Sequence, residues 1–218
     1  MPHVALINPN TSVATTQRMV AIARDHAAGA LDIEGVTSPF GFELITNKEQ
    51  LEVARRAVAS LVPALSRRYA GAIVSAFGDP GLEELRGALA VPVAGIGEAG
   101  ILEAGHGGRR FAVVTTTPDL VSVIDAKVAH LGLGSSYAGV VLTQGEPVAL
   151  TADASRLEAA LDAAIEEAIV DRRGEAVVIG GGPLAVAARA LAPRFPIPII
   201  EPIPAAVRWL ALALPESM

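Results

Sequence analysis

Four short polar segments carry the residue types that could do chemistry. They are Asn8-Pro9-Asn10-Thr11, Ser75-Ala76-Phe77-Gly78-Asp79-Pro80-Gly81, Thr115-Thr116-Thr117 and Gly180-Gly181-Gly182-Pro183. The carboxamides of Asn8 and Asn10 both donate and accept, which suits the edge of a cyclic amide. Hydroxyl and N–H groups of Thr115, Thr116 and Thr117 suit a carboxylate or a carbonyl oxygen. Glycines at 180, 181 and 182 allow close backbone approach and an oxyanion-binding nest, the kind of donor set that stabilises an enolate. Three side chains are candidates for moving a proton: Glu201, which stands between Ile200 and Pro202, Asp79 and Ser75. Each has a plainer reading. The asparagines suit an Asx turn, the threonines a helix cap before Pro118, and Asp79 an N-cap. Ser75 and Ala76 are adjacent, and adjacent strand side chains face opposite ways.

Just as informative is what the chain lacks. It has 218 residues and no cysteine, which excludes disulfides, thiolate metal sites and thiol nucleophiles. No His, Asp or Glu cluster has metal-ligand spacing, so no metal is expected. His3 and His106 read as surface or packing residues. With 17 basic against 23 acidic residues and no Lys/Arg run, no nucleic-acid partner is expected. The start MPHVALINPNTS has neither a basic n-region nor a cleavage site. The uncharged stretches are too short for a bilayer, so no membrane partner and a cytoplasmic location are expected.

Hydrophobic residues make up 51% of the chain and aromatics only 4%. Such a composition fits Val/Ile-rich strands buried on both faces and Ala-rich packing helices. Strands are expected at Val4–Ile7, Leu31–Val36, Ala72–Ser75, Pro92–Gly95, Phe111–Val114, Ala138–Leu142, Ala176–Ile179 and Pro198–Glu201. Helices are expected over Ser12–Ala28, Lys48–Tyr69, Asp119–Leu131 and Ser155–Val170, after each Gly/Pro turn, and from Ala205 to Leu214. Strands alternating with helices imply parallel sheets wound with helices.

The two halves repeat. Val4-Ala5-Leu6-Ile7 aligns with Phe111-Ala112-Val113-Val114, Ala72-Ile73-Val74-Ser75 with Ala176-Val177-Val178-Ile179, and Pro92-Val93-Ala94 with Pro198-Ile199-Ile200. The offset stays near 106 residues, about half the chain. The expected fold class is therefore α/β, with two pseudo-symmetric lobes and an active-site cleft between them. The first lobe is expected to span 1–96 plus a C-terminal helix over about 203–218, and the second 97–202. Ligands in such sheets bind beyond the carboxyl ends of the strands, where all four polar segments fall.

These segments, in order and at this spacing, resemble the aspartate/glutamate racemase superfamily, within it the hydantoin/allantoin racemase branch. The marks are Ile7-Asn8-Pro9-Asn10-Thr11-Ser12, Phe77-Gly78-Asp79-Pro80-Gly81-Leu82, Pro92-Val93-Ala94-Gly95-Ile96-Gly97-Glu98-Ala99 and Arg110-Phe111-Ala112-Val113-Val114-Thr115-Thr116. The resemblance covers essentially the whole chain. It implies two facing lobes and cofactor-free chemistry at a carbon acid. One cysteine per lobe takes a proton from one face or delivers one to the other. A small carboxylate or cyclic ureide is the implied partner, and a homo-oligomer the implied assembly. The implied substrate-binding set is Asn8, Asn10, Thr11, Phe77, Thr115, Thr116, Thr117, Gly180, Gly181, Gly182 and Pro183.

The chain departs from the family pattern at both thiols. Ala76 stands at the first cysteine position and Gly181 at the second. Neither can move a proton. Three explanations stay open: an enzyme with a non-thiol acid/base set, a binder of small acids or ureides without chemistry, and a racemase engineered to lose its cysteines. A decarboxylase-type lyase on a malonate-like acid is a further alternative, because it makes the same enolate with at most one proton donor.

Overall fold

A computed structural model describes residues 1–215 of the chain. The last three residues, which the expected C-terminal helix included, lie outside the described set. The chain divides into two compact units, residues 1–99 with the segment from Ile203 onward, and Gly100–Pro202.

In the first unit the order is β1 (His3–Asn8), α1 (Val13–Ala27), β2 (Asp32–Thr37), α2 (Lys48–Ala59), α3 (Val62–Leu65), β3 (Gly71–Val74), α4 (Leu82–Ala88), β4 (Val93–Gly95) and the start of α5 (Ile96–Ala104). In the second unit β5 (Phe111–Thr115), α6 (Val121–His130), β6 (Tyr137–Leu142), α7 (Pro147–Ala152), α8 (Ala154–Val170), β7 (Ala176–Ile179), α9 (Ala185–Leu191) and β8 (Ile199–Ile200) follow. Helix α10 (Pro202–Ala213) begins at the boundary and runs in the first unit.

Each unit holds one four-stranded, all-parallel sheet. The orders are β2-β1-β3-β4 and β6-β5-β7-β8. The identical order is the repeat seen in the sequence. The central strands carry unbroken apolar runs because both faces are covered: Val4–Ile7, Ile73–Val74, Phe111–Val114 and Ala176–Ile179 are completely buried. Around β1 and β3 pack Val58, Leu65, Leu82 and Leu85; around β5 and β7 pack Leu157, Leu161, Ile165, Leu184 and Leu191.

The sheet order reverses between β1 and β3, and again between β5 and β7. Those are the switch points where parallel sheets leave a crevice at their carboxyl ends. The bonds that close each switch point correspond. Ser75 donates its N–H to the Ile7 carbonyl at 2.8 Å, and Gly180 donates to the Val114 carbonyl at 2.7 Å. Ser38 donates to Asn8, and Thr143 to Thr115. Ser75 and Gly180 are thus equivalent, and the next positions, Ala76 and Gly181, correspond too. This shifts the expected pairing of Ser75 with Ile179 by one residue, because Val74 and Ile179 hold the same register beside Ile7 and Val114.

The expected single helix over 48–69 is two helices. Pro63 has no N–H to donate to the Ala59 carbonyl, so the hydrogen-bond ladder of α2 ends at Ser60 and a second short helix begins at Val62 with the proline in its first turn. Helix α7 carries no apolar periodicity long enough to read. Its cap is legible afterwards: Glu146 accepts from the amides of Val148 and Ala149, with Pro147 in the first turn. No helix among the described residues is long and apolar enough to cross a membrane.

Candidate functional site

In the first unit β1 ends on Asn8, which is buried. Its carboxamide is fully engaged. Nδ2 donates to Asn10 Oδ1 at 2.7 Å, to Thr16 Oγ1 at 3.0 Å and to the Ser12 carbonyl at 3.1 Å, while Oδ1 accepts from the Asn10 amide. Asn8 therefore shapes the turn. Asn10 is also buried, at 6% exposure, but only its oxygen is used: it accepts from Asn8 and from the Ser12 amide. Asn10 Nδ2 has no partner among the described residues. Thr11 donates its amide to the Phe42 carbonyl, which ties the turn to the loop after β2. Ser12 caps α1 by accepting from the Thr15 amide.

Strand β3 ends in a different arrangement. Ser75 Oγ donates to the sulfur of Met19 at 3.1 Å, inside the core. Its hydroxyl is spent there, on the strand face that Ala76 does not share. Ala76 is half-buried, and Phe77 is buried. Among the described residues the amides of Ala76, Phe77 and Gly78 have no hydrogen-bond acceptor. Three free N–H groups in succession form a concentrated donor set for an anion.

Asp79 does something the sequence hid. Its carboxylate accepts from the Gly97 amide at 2.8 Å and the Glu98 amide at 2.7 Å, capping α5 rather than the adjacent α4. It sits in the left-handed region at φ 49°. Glycine is required around it: a Cβ on Gly95 would lie 2.4 Å from its Cγ, and one on Gly97 would lie 1.9 Å from the Phe77 carbonyl oxygen. Glu98, in the first turn of α5 where an acid is favoured by the helix dipole, also pairs with Arg86 through two bonds of 2.9 and 3.0 Å.

The second unit repeats the plan with other residues. Thr115 is completely buried, and its Oγ1 donates to the Gly180 carbonyl at 2.7 Å and lies 3.1 Å from Thr117 Oγ1. Thr115 thus locks the β5 and β7 ends together. Thr116 is buried at 5% exposure, and its hydroxyl has no partner among the described residues. The amides of Thr116, Thr117 and Gly182 are free in the same sense. Gly180 and Gly181 use their amides on Val114 and Ile179. Gly181 is extended at φ 169°, a conformation open to any residue, and a Cβ there would meet Leu184 at 3.1 Å. Pro183 opens the short turn of helix before α9.

Glu201 follows β8, with its side chain 18% exposed, and its Oε2 accepts from Arg189 Nε at 3.2 Å. Strands β5, β7 and β8 are consecutive in the sheet, and neighbouring strands lie about 4.8 Å apart. Thr116, Gly181 and Glu201 therefore follow three adjacent strand ends. The structure gathers Thr116, Gly182 and Glu201 on the second sheet and Asn10 with the Ala76–Gly78 amides on the first. Ser75, Asp79, Asn8 and Thr115 carry structural bonds instead. Arg189, the partner of Glu201, was not legible in advance, since nothing in Ala-Arg-Ala marks it.

Each sheet's strand ends thus carry unpartnered donors, the kind of group that can hold a carbonyl oxygen or a carboxylate. The chain matches the Asp/Glu/hydantoin racemase family over residues 4–210 and belongs to it. It is 28% identical over 214 residues to a hydantoin racemase of Rhizobium meliloti, covering 94% of this chain and 86% of the relative. A hydantoin racemase of Paenarthrobacter aurescens is 25% identical over 208 residues, 94% of this chain and 88% of the relative. Among solved structures, allantoin racemase from Klebsiella pneumoniae superposes with a TM-score of 0.89 at 28% identity, covering 100% of this chain and 95% of that one. Arylmalonate decarboxylase shares the fold at a TM-score of 0.64 and 17% identity, covering 98% and 92%.

Proposed function

We propose that the chain is a cofactor-independent isomerase acting at the α-carbon of a small cyclic ureide or hydantoin, with groups other than thiols handling the proton. The observation that supports it is the set of unpartnered donors at the strand ends. Removing the α-proton of a hydantoin moves negative charge onto the neighbouring carbonyl oxygen. The unpartnered Thr116 and Gly182 amides and the Thr116 hydroxyl would donate to such an oxygen, and donors fixed in advance favour the enolate over the neutral ring. Glu201 is the carboxylate of this set, and Arg189 orients it. In the proposed step a Glu201 oxygen takes the α-proton as the C–H electron pair moves into the enolate. Delivery of a proton by a solvent water to the opposite face of the enolate, the resulting hydroxide being neutralised by the proton on Glu201, restores the neutral ring with its carbon inverted. In the first unit, Asn10 Nδ2 and the Ala76–Gly78 amides are donors of the same kind.

A second reading, a ureide binder without chemistry, is favoured by one fact. Ser75 and Asp79 spend their polar atoms on the protein itself. Both readings require the donors to hold a ureide. Titration with hydantoin and allantoin, followed by calorimetry, is expected to saturate at one equivalent. Thr116→Val, which removes the hydroxyl but keeps the shape, is expected to weaken binding about tenfold. Absence of saturation with either ring, or an unchanged affinity in Thr116→Val, would sink the assignment of this donor set.

A further inference from the structure

The first unit contains a cavity of about 670 Å³ at the amino-terminal ends of its strands, the end opposite to the turns that follow β1 and β3. Its walls are the residues that lead into three adjacent strands: Pro2-His3 into β1, Leu65–Ala70 into β3 and Ala88–Val91 into β4. That volume lies within the range of small-molecule sites, roughly 300–1,000 Å³. The lining is of two kinds. Leu65, Leu89 and Val91 are apolar, and Arg67 and Arg68, both exposed, are the two arginines of the lining.

The two arginines differ. Arg68 Nη2 is held by both oxygens of Glu34, at 2.8 and 2.9 Å, and its guanidinium lies 5.2 Å from the centre of the Tyr69 ring. Tyr69 stacks in turn on His3, with ring centres 4.8 Å apart and planes 11° from parallel. His3 is fixed by Asp32 and Glu34. This side of the cavity is therefore preassembled, with the Arg68 guanidinium already paired to Glu34. Arg67 has no hydrogen-bond or ion-pair partner among the described residues. It also stands at φ 68°, just past the end of α3, where glycine is the residue that fits without strain. A cationic side chain is kept there against backbone preference, beside an apolar hollow, with its charge unanswered.

The corresponding corner of the second unit is built differently. There Arg110 bridges it, donating Nε to the Arg172 carbonyl and its amide to Glu175. His3 occupies the equivalent place at the start of β1 but turns its ring onto Tyr69, Asp32 and Glu34. In the first unit no such bridge runs to the Arg67 turn.

We infer that this cavity is a second binding site, for a small organic anion with an apolar body, its charged group on Arg67 and its body against Leu65, Leu89 and Val91. The inference does not depend on what the strand-end donors bind. Two probes separate the anion from the body: octanoate and phenyl phosphate, titrated into ¹⁵N-labelled full-length protein and followed by NMR. Saturable shifts are expected at the amides of His3, 67–70 and 89–91. Arg67→Gly removes the charge while relaxing the turn, so it leaves the fold at least as stable. It is expected to raise the Kd of the bound probe at least tenfold. Arg173→Gly, the same exchange at a left-handed arginine of the second unit, is expected to leave Kd unchanged. Shifts confined to the Thr116 or Ala76–Gly78 amides, no saturation by either probe, or an unchanged Kd in Arg67→Gly would each overturn the inference.

Discussion

Gly97→Ala is expected to destabilise the first unit by about 3 kcal/mol or more, enough to leave little folded protein. The added methyl would sit 1.9 Å from the Phe77 carbonyl oxygen and 2.9 Å from Asp79 Oδ2. The first obstacle is main chain, which no rotamer change can move aside. Relief requires α5 to shift away from the turn after β3, and that shift breaks the bonds from the Gly97 and Glu98 amides to Asp79. Asp79→Ala removes those acceptors without a clash and is expected to cost about 2–3 kcal/mol, since the bonds are to a charged group and the amides are left buried. Gly87→Ala is the control. It lies on α4 with nothing within 4 Å of the new methyl, so it is expected to be neutral or stabilising by up to about 1 kcal/mol. Urea unfolding checks all three. If Gly97→Ala unfolds at the wild-type midpoint, the Asp79–α5 junction is wrong as described.

The second large effect is a gain. Ala76→Cys/Gly181→Cys is expected to raise α-proton exchange of a 5-substituted hydantoin by about 10²–10⁴-fold over the wild type, the usual yield of a positioned acid/base pair. Both positions accept the thiol. Ala76 already carries a Cβ, and Gly181 is extended, with only the Leu184 side chain 3.1 Å from a new Cβ. The free amides at Ala76–Gly78 would favour the thiolate there, as oriented donors do at reactive cysteines. Each single variant is expected to raise exchange less than the double variant, with inversion of the carbon rising alongside exchange. Chiral chromatography beside proton NMR reads both outcomes. A double variant that folds, binds the ring and exchanges no faster than wild type contradicts the equivalence of these positions with the family's thiols.

The parallel sheets were readable because strands buried on both faces must be apolar throughout, as Val4–Ile7 and Ala176–Ile179 are. The repeat was readable because each unit uses the same strand order. Side-chain alternation alone separated Ser75 from Ala76, and the Ser75 bond to Met19 shows the consequence. Pro63 divides the helix expected over 48–69, and the apolar periodicity that runs across it hides the break. Asp79 was legible as a cap but not as the cap of α5, because that pairing reaches across an intervening helix and strand. The clue was the spacing of Gly95 and Gly97, which marks a close approach without saying to what. Which amides stay free at the strand ends depends on every other bond in the turn, and no local pattern records that.

The central claim is that these donors serve proton transfer at carbon, and exchange in D₂O tests it most directly. Wild-type protein would be incubated with a 5-substituted hydantoin, allantoin, aspartate, glutamate and an arylmalonate, and the α-proton signal followed. Our account predicts loss of that signal for at least one cyclic ureide, slowed about 10²-fold in Glu201→Gln. Silence from the wild type toward every substrate, with exchange appearing in Ala76→Cys/Gly181→Cys under the same conditions, would contradict it and leave a racemase fold that binds without turning over.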